Sequence, residues 1–129
     1  MKINHIGYLV HDIEISIKIF SNLGFTVKSK YDDNFRKIEI VFISNGIYSI
    51  ELIKPKDNSS VIFKLLSKNG PTPYHICYEV KDIDVESSKL ITQGFIIVVK
   101  KEKAVAFNNR EVIFMYNKNI GLIELLEEE

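Results

Sequence analysis

The sequence is short of the features that usually point to a partner or a compartment. It has one cysteine, Cys77, so no internal disulfide can form, and this fits a reducing cytosol. Cys77 itself reads as a small core residue. Neither sign of charge is in excess: 17 Lys and Arg balance 17 Asp and Glu. No global field therefore favours nucleic acid or a membrane surface. No apolar run is long enough for a membrane span, and the opening "MKINHIGYLV" passes straight into a strand pattern. We expect no signal peptide, no transmembrane helix and a cytoplasmic protein. The terminal "EEE" reads as a short solvated charge run. With 129 residues, 46% of them hydrophobic, the chain fits one compact domain or two small halves sharing a core.

What the sequence does contain is a repeat. "NHIGYLVHDIE" near the start returns as "YHICYEVKDID", and a shift of 70 lays residues 5–27 on 75–97. His5 meets His75, Ile6 meets Ile76, Tyr8 meets Tyr78 and Val10 meets Val80. Asp12-Ile13 meets Asp82-Ile83, and Gly24-Phe25 meets Gly94-Phe95, which makes 8 identities in 23 positions. The ends match with a small slip, "IELIKP" at 50–55 facing "IELLEE" at 123–128. The economical reading is two copies of one unit: a first module over 1–56, a linker with a short helix over 57–71, and a second module over 72–129.

Each unit has the same coarse pattern. Residues 3–10 alternate like a half-buried strand. Asp12 offers a helix N-cap and Gly24 a C-terminal stop. Ile13, Ile15, Ile17 and Ile19 alternate as in a strand, yet Ile13, Ile17, Phe20 and Leu23 form a helical stripe of the bracketed length. The helix is the better reading. Strands follow over Phe25–Tyr31, Lys37–Ser44 and Tyr48–Lys54, with "NG" at 45–46 as a two-residue hairpin turn. Ser59–Lys68 reads as a short amphipathic helix, and the second unit gives a strand at 73–80 and a helix at 84–93. Its remaining strands fall near 95–101, at 104–108 or 110–116, and at 120–127. The fold class is α+β, two tandem β-α-β-β-β modules.

Period-two geometry then places the polar side chains. Ile6, Tyr8 and Val10 need the helix side for burial, so His5 takes the opposite face, as His75 does against Ile76, Tyr78 and Val80. Ile50 and Leu52 leave Glu51 on that far face, and Ile123 and Leu125 leave Glu124 there. On the middle strand Ile38, Ile40 and Phe42 alternate with Lys37, Glu39 and Val41, which puts Glu39 on the far side as well. Two modules paired by a pseudo-twofold, with sheets curled toward each other, would then enclose a cavity lined by His5, Glu51, His75 and Glu124. Two imidazoles and two carboxylates suit one divalent first-row metal such as Mn, Fe, Co, Ni or Zn. Taken singly, a strand histidine or a glutamate in "IEL" is usually structural or solvated. The duplication favours the ligand reading. His11 has no histidine twin, since Lys81 stands there, and reads as surface.

The doubled unit, with histidine on strand one and glutamate on strand four of each copy, resembles the vicinal oxygen chelate superfamily over essentially the whole chain. That group includes glyoxalase I, methylmalonyl-CoA epimerases, extradiol dioxygenases and bleomycin- or fosfomycin-resistance proteins. The epimerases look most similar, through the two opening strands, the linking "SSVIFKLLSKNGP" and the closing "FMYNKNIGLIELLE". The resemblance implies metal ligation by His5, Glu51, His75 and Glu124, and a proton-transfer role for Glu39, with Glu124 as ligand and second acid or base. It also implies an acyl-CoA or thiol-adduct substrate and a homodimer. Two places depart from the pattern. The His-Pro-Lys type turn of the epimerases reads Tyr116-Asn117-Lys118, and Leu9 stands where glyoxalase I carries an arginine. Asn108, Asn109 and Arg110 read as an exposed hairpin rather than a site for an anionic substrate.

The chemistry implied is proton abstraction beside a metal-bound carbonyl, by a metal-dependent isomerase or lyase. A lactoylglutathione lyase of the glyoxalase I type is the alternative enzyme. A non-catalytic drug- or metabolite-binding resistance protein is the alternative of another class.

Overall fold

A computed structural model describes all residues, 1–129. The chain forms two compact units, His5–Tyr74 and Met1–Asn4 with His75–Glu129. Each carries one β-α-β-β-β module of a mixed α+β fold.

In the first module β1 (Lys2–Leu9) leads into α1 (Ile13–Ser21), then β2 (Thr26–Asp33), β3 (Ile38–Ser44) and β4 (Ser49–Pro55). The strands lie in the order β2-β3-β4-β1. β1 runs parallel to β4, and the other pairs are antiparallel. After α2 (Phe63–Asn69) the second module repeats the plan with β5 (Thr72–Val80), α3 (Ile83–Ile91), β6 (Ile96–Ala104), β7 (Arg110–Asn117) and β8 (Gly121–Glu127). The order there is β5-β8-β7-β6, with β5 parallel to β8.

The repeated sequence blocks build repeated local structure. Asp12 and Asp82 cap their helices, accepting from the Ile15 amide at 2.8 Å and the Val85 amide at 3.0 Å. Such caps contribute about 1 kcal/mol each. Gly24 and Gly94 end the helices at φ +92° and +93°, letting the Phe25 and Phe95 amides reach back to the Phe20 and Leu90 carbonyls. A Cβ at Gly24 would meet nothing within 4 Å, so the left-handed backbone alone is what calls for glycine there.

One face of each sheet packs on its own helix. In the first module Val41, Ile43 and Leu52 bury with Val10 and Ile13, against Tyr8, Ile17 and Phe20. In the second, Ile113, Met115, Ile123 and Leu125 bury with Ile83 and Phe95. Ile15 and Ile19 are both 58% exposed, which resolves the alternating isoleucines in favour of the helix. Leu23, assigned to the same stripe, is instead exposed.

Two connections differ from expectation, and one open alternative is settled. The Asn45-Gly46 pair does not make a two-residue hairpin. Ser44 pairs with Ser49, and Asn45 Oδ1 closes the longer connection by accepting from the Ile47 and Tyr48 amides at 3.0 and 2.7 Å. The expected helix from Ser59 starts only at Phe63. Of the two alternatives after β6, the strand is the later one, because Asn108 and Asn109 turn the chain with φ of 54° and 62°. Arg110 is tied structurally, donating to the Glu127 carbonyl at 3.2 Å. No helix is long and apolar enough to cross a membrane.

Candidate metal centre

The strand pairings fix which side chains share a face. In the first module the helix face takes Tyr8, Ile50, Leu52 and their β3 partners Ile43 and Val41. The opposite face takes His5, Glu51 and Phe42, the last being the register partner of Glu51. His5 Nε2 lies 3.3 Å from Glu51 Oε1, with side-chain exposures of 0% and 7%. The Phe42 ring meets the His5 imidazole edge to face, with centroids 5.5 Å apart and planes at 84°.

The second module builds the same triad. Phe114 is the register partner of Glu124. His75 Nε2 lies 3.0 Å from Glu124 Oε2, with side-chain exposures of 0% and 3%. Phe114 meets His75 at 5.3 Å and 89°. Cys77, fully buried as expected, is the β5 partner of Glu124 and shares its face.

Desolvating a carboxylate costs several kcal/mol, which only well-made partners or a cation offset. Each module accepts that cost at the same place, beside an imidazole in T-shaped contact with a phenylalanine ring. His5, Glu51, His75 and Glu124 are the buried histidines and carboxylates that could hold a metal ion. Their chemistry fits the group: neutral imidazole nitrogens and carboxylate oxygens suit divalent first-row metals.

Glu39 does not lie on this face. Its β3–β4 partner is Lys54, whose Nζ lies 3.8 Å from Glu39 Oε2, and both follow the helix-face parity of Val41 and Leu52. With Asp12, Ile13 and Glu14 of the α1 start, Glu39 lines a surface cavity of about 350 Å³. The expectation failed because β3 is apolar on both faces: Ile38, Ile40, Val41 and Ile43 are all buried, so alternation cannot say which set meets the helix. The far face instead carries Asp33, the β2 partner of Ile38, buried and bonded to the Arg36 amide at 2.9 Å. That bond closes the β2–β3 turn.

Phe42 and Phe114 are the residues that sequence reasoning missed. The signal was present as a third matched block, "IVFI" at 40–43 against "VIFM" at 112–115. His11, read as surface, is exposed.

The chain belongs to the Glyoxalase/Bleomycin resistance protein/Dioxygenase superfamily, whose family model matches residues 4–114. It is 30% identical, over 96% of both chains, to an ethylmalonyl-CoA/methylmalonyl-CoA epimerase of Cereibacter sphaeroides. Its fold matches the crystal structure of methylmalonyl-CoA epimerase from Mycobacterium tuberculosis with a TM-score of 0.86 at 28% identity, over 98% of this chain and 87% of that one. It also matches a Streptomyces coelicolor methylmalonyl-CoA epimerase in complex with 2-nitronate-propionyl-CoA, with a TM-score of 0.86, over 99% of this chain and 97% of that one. At 20% identity, that second likeness concerns the fold alone.

Proposed function

We propose that this protein is a metal-dependent epimerase of a 2-substituted acyl-CoA thioester, moving a proton at the carbon beside the thioester carbonyl. The observation that carries the proposal is the buried His–Glu pair, each with a phenylalanine edge-to-face on its imidazole, built twice, once per module, in a chain 30% identical to an ethylmalonyl-CoA/methylmalonyl-CoA epimerase. The proposal includes the convergence of His5, Glu51, His75 and Glu124 on one divalent ion, Co, Ni, Mn or Zn. A pair of ligands is a weak site, whereas four nitrogen and oxygen donors meet the usual coordination demand. The pairing of the two modules as one domain, 1–56 and 72–129 joined by 57–71, belongs to the same proposal, as do a cytoplasmic location and a homodimer.

A bound divalent cation supplies Lewis-acid polarisation of the substrate carbonyl. The chain's own residues do the rest. Phe42 and Phe114 hold the two imidazoles in fixed rotamers through T-shaped ring contacts. Burial keeps bulk water from the carboxylates and strengthens every charge interaction they make. Glu124, 3% exposed, is the group assigned to proton transfer alongside ligation. Glu39 is left out of this mechanism because it sits on the helix face.

The test is to strip metal, restore Co, Ni, Mn or Zn in turn, and follow deuterium entry from solvent into methylmalonyl-CoA. Metal-dependent exchange is the expected result. No exchange, together with turnover of the methylglyoxal–glutathione adduct, would reassign the chain as a lactoylglutathione lyase. Metal binding with neither reaction would point to a sequestering protein.

A further inference from the structure

The two modules furnish equivalent positions on the His–Glu face with opposite chemistry. In the first, Ile6 lies beside Ile50, so one residue earlier His5 neighbours Ser49; Ser49 pairs with Ser44, and Ser44 with Thr26. In the second, Ile76 lies beside Ile123, so His75 neighbours Leu122; Leu122 pairs with Tyr116, and Tyr116 with Ile96. One row further on, Phe42 faces Ser29 while Phe114 faces Val99. Four small polar residues, Thr26, Ser29, Ser44 and Ser49, thus give way to three aliphatic ones, Ile96, Val99 and Leu122, and the large ring of Tyr116.

The fold does not demand this change, since the first module makes the same strands with Ser or Thr in all four places. Nor is this set core: Ile96, Tyr116 and Val99 are 61%, 43% and 38% exposed within the structure. The strip is continuous with the ligand pair, starting at the neighbour of His75 and running across β8, β7 and β6. Two strand spacings make that roughly 10 Å, enough for several carbons of an alkyl chain.

We propose that Leu122, Tyr116, Ile96 and Val99 form the subsite for an apolar substituent on the carbon that loses its proton, a substituent longer than methyl. This rests on the acyl-thioester reading above. Each methylene buried contributes about fourfold in affinity. Half-burying the three extra methylenes of a butyl group on an open strip therefore favours it over methyl about tenfold.

The experiment compares 2-butylmalonyl-CoA with methylmalonyl-CoA by kcat/KM for deuterium entry, using metal-loaded protein. In parallel, calorimetry compares the binding of 2-butylmalonate and 2-methylmalonate. Both ratios are expected near ten for the wild type. Ile96→Thr with Tyr116→Ser, the residue types at the equivalent places in the first module, should bring both ratios toward one. Both sites are exposed, and a melting temperature near that of the wild type confirms that the variant folds. A wild-type ratio near one in both measurements, or ratios the variant does not move, overturns the subsite. If neither thioester exchanges but the binding ratio holds and the variant abolishes it, the subsite stands and the epimerase reading falls. A changed oligomer mass with unchanged ratios reassigns the strip to contact between copies of the chain and overturns the proposal.

Discussion

Replacing Phe42 and Phe114 by leucine tests whether the rings serve the histidines or merely fill space. Each ring meets its imidazole edge to face, at 5.5 Å and 84° for His5 and at 5.3 Å and 89° for His75. Such contacts contribute about 0.5–1.5 kcal/mol beyond area burial. Leucine keeps most of the bulk, so the packing loss should stay below about 1.5 kcal/mol. If the contact fixes the imidazole in its ligating rotamer, its loss appears in metal affinity. At 1.4 kcal/mol per factor of ten, that is about two- to tenfold for each single variant. The double variant should then lose about four- to a hundredfold, overlapping the roughly ten- to a hundredfold seen when groups that orient metal ligands are removed. Titration calorimetry with Zn or Co, run beside thermal melts, reads both quantities. Lower melting temperatures with unchanged metal affinity would refute the orienting role and leave the rings as packing.

Glu39→Gln should leave metal affinity unchanged and exchange activity within about twofold, because Glu39 pairs with Lys54 on the helix face; a hundredfold loss of exchange would restore it as the base. Asp12→Ala removes the acceptor of the Ile15 amide and should cost about 1 kcal/mol in a denaturant melt, without changing the affinity for metal. A loss below about 0.3 kcal/mol would mean that water replaces the cap.

The repeat made most of the fold legible. Asp12 and Asp82, Gly24 and Gly94, and the two opening strands each fix a boundary through local chemistry, and local chemistry survives in sequence. The parity of His5, Glu51, His75 and Glu124 was equally readable, because β1, β4, β5 and β8 pair each of these residues with apolar neighbours that need a helix. Glu39 was not readable. A strand buried on both faces gives no sign of which set meets the helix, and the β3–β4 register, set by the Asn45–Tyr48 connection, decided it. The aromatic partners were hidden for another reason: Phe42 and Phe114 look like ordinary core in a strand, and their contact with histidine appears only once three strands are laid side by side. The hairpin after β6 likewise depended on Asn108 and Asn109 adopting left-handed backbone, which asparagine permits but does not require.

Metal stoichiometry tests most directly whether the two His–Glu pairs serve one ion. Metal-free protein is titrated with Zn or Co, and bound metal is counted per chain by elemental analysis. A shared ion predicts one equivalent per chain for the wild type, and loss of tight binding in both His5→Ala and His75→Ala. Two equivalents per chain, or one tight ion retained after either histidine is removed, would contradict it.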